Sequence, residues 1–217
     1  MAQTRSQQSA YEVHSVAAFV QQLAVSLVGQ RYWFYVTGEI PPEKEAEAVD
    51  RKLAERYGVG VSKWSRARRK AAGLSNVRYL RHGRFFVLIA TPGEHAFFDL
   101  EPGFQDVRRR PIKYGGYSVG CALGRDGNYH PSVRIERTEF MALKAYFLRL
   151  AGQRSSSEIA ELLASLPYEP YAPVRRQLLE LLRAVNRTRK LSGREPVPLG
   201  ALRLRRRPVR VFEPTRA

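Results

Sequence analysis

The chain has 217 residues, 44% of them hydrophobic, enough for one large domain or two small ones around a packed core. Its only cysteine, Cys121, excludes an internal disulfide and a thiolate metal site and fits a reducing, cytoplasmic compartment. The 37 Lys and Arg against 20 Asp and Glu give a formal charge of +17, and that excess is concentrated: residues 62–84 hold eight cations and no acid, and residues 187–217 hold ten cations against two acids.

Residues 1–10 are polar and read as a flexible N-terminus. The apolar residues of 16–28 line one helical face, but Gln21, Gln22 and Ser26 interrupt them too often for a signal segment or a bilayer span. Arg5 is the only cation before residue 31, too few for an Arg-rich transit peptide. An aromatic strand is predicted over 32–40. A helix follows from Pro42, with Glu43, Glu45 and Glu47 at its positive end and Gly58 as its stop. A short basic helix is predicted over 62–73.

Strand-like runs come next, at 76–81, 84–91, 95–100, 117–123 and 132–135, separated by Gly83, Pro92-Gly93, Pro102-Gly103, Gly115-Gly116 and Asp126-Gly127. Such close spacing predicts a mostly antiparallel sheet with flanking helices. From Thr138 the period changes to helical, at 139–151, 155–166 and 174–190. The fold class is therefore α+β, with a sheet domain over 11–136 and a three-helix basic module over 137–217 that ends in a strand or arm.

Two uncompensated basic blocks suit a polyanion, and nucleic acid is the expected partner. A membrane surface is not expected, because neither block forms a basic amphipathic helix with bulky apolar residues opposite the charge. In the first block, Lys63, Arg66, Arg69 and Lys70 are three and four apart on one helical face, with Arg78, Arg81 and Arg84 on the strands that follow. The second block supplies Arg187, Arg189, Lys190, Arg203, Arg205, Arg206 and Arg207. Tyr32, Trp33, Phe34, Tyr35, Phe85, Phe86, Phe97 and Phe98 either pack in a core or offer rings that stack unpaired bases.

Thr138-Glu139-Phe140-Met141-Ala142-Leu143, Ser157-Glu158-Ile159-Ala160-Glu161-Leu162-Leu163 and Val174-Arg175-Arg176-Gln177-Leu178, followed by the strand-like Leu202, Leu204, Val209, Val211 and Phe212, resemble a winged helix-turn-helix domain. That resemblance implies DNA rather than RNA. It places Arg175, Arg176 and Gln177 on a recognition helix near base edges or phosphates, and Arg205, Arg206 and Arg207 on a wing.

Catalytic signals are fewer. His95, Asp99, Glu101 and Asp106 lie within twelve residues. On a strand His95, Asp99 and Glu101 share one face, where carboxylates suit Mg²⁺ and a metal-dependent nuclease. Tyr146 lies on a helix, as the nucleophile of rolling-circle initiators does, but their His-x-His pair is missing. His82 or His130 could serve metal-free RNA cleavage. The glycines at 115, 116, 120, 124 and 127 do not form a Walker motif, so no nucleotide cofactor is expected, and Mg²⁺ only with the nuclease. The expected function is binding without chemistry, in the replication, recombination or regulation of a mobile element. The alternatives are the nuclease and an RNA-binding assembly factor of a ribonucleoprotein.

Overall fold

The computed structural model describes residues 11–206. The protein is α+β, with two antiparallel sheets. Of the described residues, 11–111 and 120–131 form one compact unit, and 112–119 and 132–206 form the other.

In the first unit, α1 (Val16–Gln21) starts where the Ser15 side chain accepts the Ala18 N–H at 3.2 Å. It continues into a π-helical turn, Gln22–Leu27, and a 3₁₀ turn, Val28–Gln30, and ends at Arg31 in the left-handed conformation. The four-stranded sheet has the order β2-β3-β1-β4, built from β1 (Phe34–Glu39), β2 (Val77–His82), β3 (Phe85–Ala90) and β4 (Gln105–Asp106). Strand β3 lies between β2 and β1 and buries Val87, Leu88, Ile89 and Ala90, which is why its sequence is a continuous apolar run rather than an alternating one. Opposite Phe86 on β1 is Gly38, where an added Cβ would meet the ring of Phe86 at 2.6 Å.

Two predicted elements take a different form. The helix expected from Pro42 begins at Ala46 as α2 (Ala46–Arg56). The guanidinium of Arg84 donates to the carbonyls of Ile40, Pro41, Pro42 and Lys44, and so holds as a turn the segment that would otherwise be its first coil. The basic helix forms as expected, as α3 (Lys63–Ala71). The strand expected over 95–100 is instead a helical turn, α4 (Phe97–Leu100). A strand would send Phe97 and Phe98 to opposite faces. The helical turn lets both rings pack with Phe104, at centroid distances of 6.3 and 5.1 Å, and brings Phe98 to 5.4 Å from Phe34.

Arg81 joins three segments of this unit. It donates to Asp50 on α2 at 2.9, 3.0 and 3.1 Å and to Glu12 at 3.0 and 3.1 Å, while Tyr79 donates to the same Asp50 at 2.6 Å. Burial and the bond to Asp50 both raise the Tyr79 phenol above its ordinary pKa.

The second sheet has the order β5-β6-β7, with β5 (Ile112–Tyr114), β6 (Tyr117–Leu123) and β7 (Tyr129–Ile135). Tyr114 pairs with Tyr117 across Gly115 and Gly116, both at positive φ, the two-residue turn that a tight hairpin requires. In the second unit, α5 (Arg137–Ala151) is capped by Glu136, and α6 (Ser156–Ala164) opens on a Ser155/Glu158 capping box. Helix α7 (Ala172–Leu191) has proline in its first turn. Phe147, Ile159, Leu163, Leu178, Leu181 and Val185 are buried among these helices.

Candidate nucleic-acid interface

The basic helix α3 starts at Ser62, whose side chain accepts the Ser65 N–H at 3.2 Å, and stops at Gly73, which has φ +74°. None of its residues is buried, so packing does not claim its side chains. Lys63, Arg66, Ala67 and Lys70 form one face and line a cavity of about 360 Å³. Trp64, which does not line that cavity, is 81% exposed.

Apart from Leu27, the rest of the cavity wall is polar. The π-helical turn contributes Gln22 and Ser26, the start of β2 contributes Asn76 and Arg78, and Gln30, Tyr32 and Thr91 complete it. No Asp, Glu, His or Cys lines it. Asn76 is fixed by three bonds: its Nδ2 donates to the Arg66 carbonyl at 3.1 Å, its N–H donates to Thr91 Oγ1 at 2.9 Å, and its carbonyl accepts the Thr91 N–H at 3.0 Å. Its Oδ1 is buried and accepts no hydrogen bond from any described residue. Burial raises the Tyr32 phenol above its ordinary pKa, and Arg78 and Arg66 partly offset that rise. A second cavity, of about 220 Å³, shares Gln22, Leu27, Arg66 and Arg78 with the first. Arg66 spends Nη1 on the Val61 carbonyl at 2.6 Å, whereas the side chains of Lys63, Lys70 and Arg78 make no hydrogen bond or ion pair to any described residue.

Three cations expected to meet phosphate are engaged within the fold instead. Arg81 is 2% exposed and bound to Asp50 and Glu12. Arg84 holds the carbonyls of the 40–44 turn. Arg69 turns back on the Ser75 carbonyl through Nε and Nη2, at 3.2 and 3.0 Å.

The acidic candidates are also committed to separate tasks. His95 Nδ1 accepts the Phe97 N–H at 3.0 Å, and burial with nearby Arg69 lowers its pKa. Glu101 accepts from Tyr57, whose phenol is pushed up to about 12 by burial and by that bond. Asp106 is gripped by Arg108 at 2.6, 2.9 and 3.1 Å; burial raises its carboxyl, and Arg108 outweighs this to leave it below the usual range. Asp99 is exposed on α4, not aligned with the others along a strand. Among the described residues no three His, Cys, Asp or Glu are grouped so as to hold a metal ion.

Of the other nucleophile and acid-base candidates, Tyr146 is 41% exposed on α5, against Phe147. His130 is exposed with both Asp126 oxygens at 3.0 Å, and burial lowers the pKa of half-buried His82. The aromatic strands divide between the two expected roles. Tyr32, Tyr35 and Phe97 are core residues, while Trp33 lies 4.2 Å from the Arg108 guanidinium and 6.1 Å from the 45%-exposed Tyr129.

In the second unit, Gln177 does not face outward. Its Oε1 accepts the Ile135 N–H at 2.8 Å and its Nε2 donates to the Ile135 carbonyl at 2.9 Å, so it ties α7 to β7. Arg189 is 2% exposed and donates to the carbonyls of Ala151, Arg154 and Glu195. The exposed cations of α7 are Arg175, Arg176, Arg183, Arg187 and Lys190. Of these, 176, 183, 187 and 190 fall on one stripe about 21 Å long at the helical rise of 1.5 Å per residue. Arg183 lies outside both basic blocks and carries no signal of its own in the sequence beyond its place four residues before Arg187.

Arg203 and Arg205 are exposed, and the Arg206 guanidinium lies 4.3 Å from the Tyr171 ring centre. Leu202 and Leu204 are in no strand, and Arg207, Val209, Val211 and Phe212 lie outside the described residues. No helix among the described residues is long and apolar enough to cross a membrane. The chain matches no protein-family model, no curated protein and no solved structure.

Proposed function

We propose that the protein binds nucleic acid without cleaving it. Lys63, Arg66, Lys70 and Arg78 are its phosphate contacts in the first unit, and the α7 stripe supplies them in the second. The observation that carries this reading is the composition of the cavity beside α3: four cations, six uncharged polar side chains and no carboxylate. Cations left unneutralised by their own fold are what a polyphosphate replaces counterions on. The same wall contains no histidine or carboxylate to move a proton or hold Mg²⁺, which favours binding over hydrolysis. The resemblance of the α5–α7 sequence to DNA-binding modules makes DNA the preferred partner. A role in mobile-element replication, recombination or regulation, in a reducing cytoplasm, is compatible with this chemistry.

The test is binding of labelled duplex DNA, single-stranded DNA and structured RNA across a salt series, with the same samples assayed for cleavage in Mg²⁺. Two variants are compared with the wild type, Lys63→Gln/Lys70→Gln/Arg78→Gln and Arg176→Gln/Arg183→Gln/Arg187→Gln. Each is expected to weaken binding and to flatten the log–log salt dependence by about one unit for every phosphate that is no longer neutralised. Unchanged affinity in both would sink the reading, and Mg²⁺-dependent products would replace it with the nuclease.

A further inference from the structure

The two sets of free cations differ in arrangement. On α7 they are strung along about 21 Å, which suits successive phosphodiesters of a strand. Beside α3, Lys63, Arg66, Lys70 and Arg78 line a single cavity of about 360 Å³, near the lower end of the roughly 300–1,000 Å³ typical of small-ligand sites. An internal phosphodiester offers one negative charge, whereas a terminal phosphomonoester carries about −1.5 to −2 at neutral pH. Convergent cations therefore match an end better than a track.

Asn76 narrows the ligand further. Its Nδ2 is held by the Arg66 carbonyl at 3.1 Å, which fixes the amide, and its buried Oδ1 has no partner among the described residues. A buried acceptor left unpaired is costly, and a phosphate dianion, itself only an acceptor, cannot satisfy it. An N–H or O–H donor can. The Tyr32 hydroxyl, in the same wall, makes no hydrogen bond to a described residue and is there for the ligand as well. The ligand that suits both features combines a multiply charged phosphate with a hydrogen-bond donor, as a nucleotide does through its sugar hydroxyl or base amino group.

We infer that this cavity receives the phosphorylated terminal nucleotide of a strand, its phosphate held by the four cations and its sugar or base donor by Asn76. The inference rests on the nucleic-acid reading and deepens it.

The test uses the whole protein and one single-stranded oligonucleotide in three forms, 5′-phosphorylated, 3′-phosphorylated and hydroxyl-ended, with a nucleoside monophosphate and inorganic phosphate as competitors. One phosphorylated end is expected to bind about tenfold tighter than the hydroxyl-ended strand, or more. Lys63→Gln/Lys70→Gln/Arg78→Gln should abolish that preference, whereas Arg183→Gln/Arg187→Gln should weaken all three strands alike and leave it intact. Asn76→Asp, which replaces the amide donor with an anion, should also lose the preference; a circular dichroism melt reports whether it still folds. Equal binding of all three strands would overturn the end site and leave the nucleic-acid reading standing. Binding of the monophosphate alone would make the cavity a free-nucleotide site, and competition by inorganic phosphate equal to that of the monophosphate would mark an adventitious ion only. Failure to bind any of them would overturn both readings.

Discussion

Asn76 donates to the main-chain carbonyl of Arg66 at 3.1 Å, which ties the start of β2 to the middle of α3. The two cations that border both cavities, Arg66 and Arg78, are thereby held on opposite sides of one bond. Asn76→Ala is expected to cost about 1–2 kcal/mol, the loss of one buried hydrogen bond, and to weaken nucleic-acid binding beyond any effect on the fraction folded. Denaturant titration alongside a binding isotherm checks both; full stability with full affinity would refute the coupling.

Arg78 and Arg81 are three residues apart with the same charge and opposite roles. Arg81→Met leaves Asp50 and Glu12 without their cation in a buried site and should cost about 3–5 kcal/mol. Arg78→Met should change stability by no more than about 0.5 kcal/mol, because the Arg78 side chain has no hydrogen bond or ion pair within the described fold to lose. Affinity should show the reverse for Arg78, a clear loss in a fully folded protein. Comparable unfolding midpoints for the two variants would contradict this division.

Gln177→Leu should cost about 1–3 kcal/mol, since it strips both hydrogen bonds from the Ile135 main chain. It should leave sequence preference on DNA unchanged. A shift in the preferred base with unaltered stability would restore Gln177 to a reading role.

The native protein holds His95 and His82 below the ordinary histidine range, His95 through burial and Arg69, His82 mainly through burial. Between the folded pKa and the unfolded value near 6.5 the unfolded chain binds more protons, so stability rises with pH there. The contribution is complete above about pH 6.5 and is lost as pH falls toward the folded values. Protonation of His95 Nδ1 would also remove its bond from the Phe97 N–H. Unfolding midpoints at pH 7.5 and 5.5 should differ less for His95→Asn, whose amide oxygen can still accept that N–H. An identical pH response in His95→Asn and His82→Asn as in the wild type would rule both residues out.

Trp64 on α3 is expected to stack an unpaired base, because an 81%-exposed indole on a helix with five cations has no packing role. The chain has two tryptophans, so Trp33→Phe leaves Trp64 as the only indole emitter. Single-stranded DNA should quench it strongly and duplex DNA weakly. Trp64→Ala should melt like the wild type and bind single strands about 1–3 kcal/mol more weakly. Emission indifferent to single strands would dismiss the stacking role.

The sequence made the elements legible where local signals agree with tertiary packing. Pro-Gly and Gly-Gly pairs marked turns, and the Ser155/Glu158 box marked the start of α6. It failed where a distant side chain decides the outcome. Arg84 keeps 40–44 from becoming helical, and the rings of Phe34 and Phe104 draw Phe97 and Phe98 into one helical turn. The basic face of α3 was visible from its spacing, as were Arg66 and Arg78. Which cations of a block stay free was not, since Arg81 and Arg189 look like their neighbours until Asp50 and the carbonyls of Ala151, Arg154 and Glu195 reach them. Asn76 carried no signal at all and Tyr32 only that of one ring in an aromatic run, because each becomes part of the cavity only through the approach of α3 to the sheet.

The wide turn at Gln22–Leu27 makes chain length, as well as side-chain identity, a determinant of the cavity wall. With one residue fewer, that segment could close as an ordinary α-helix. Because a π-helical turn fits one extra residue into about the same rotation as an α-helical one, Gln22 and Leu27 would stay near their places, while the wall between them, where Ser26 stands, would narrow and be re-formed. A single-codon deletion between Gln22 and Leu27 would therefore alter the backbone of the cavity wall while leaving each of its cations in the sequence.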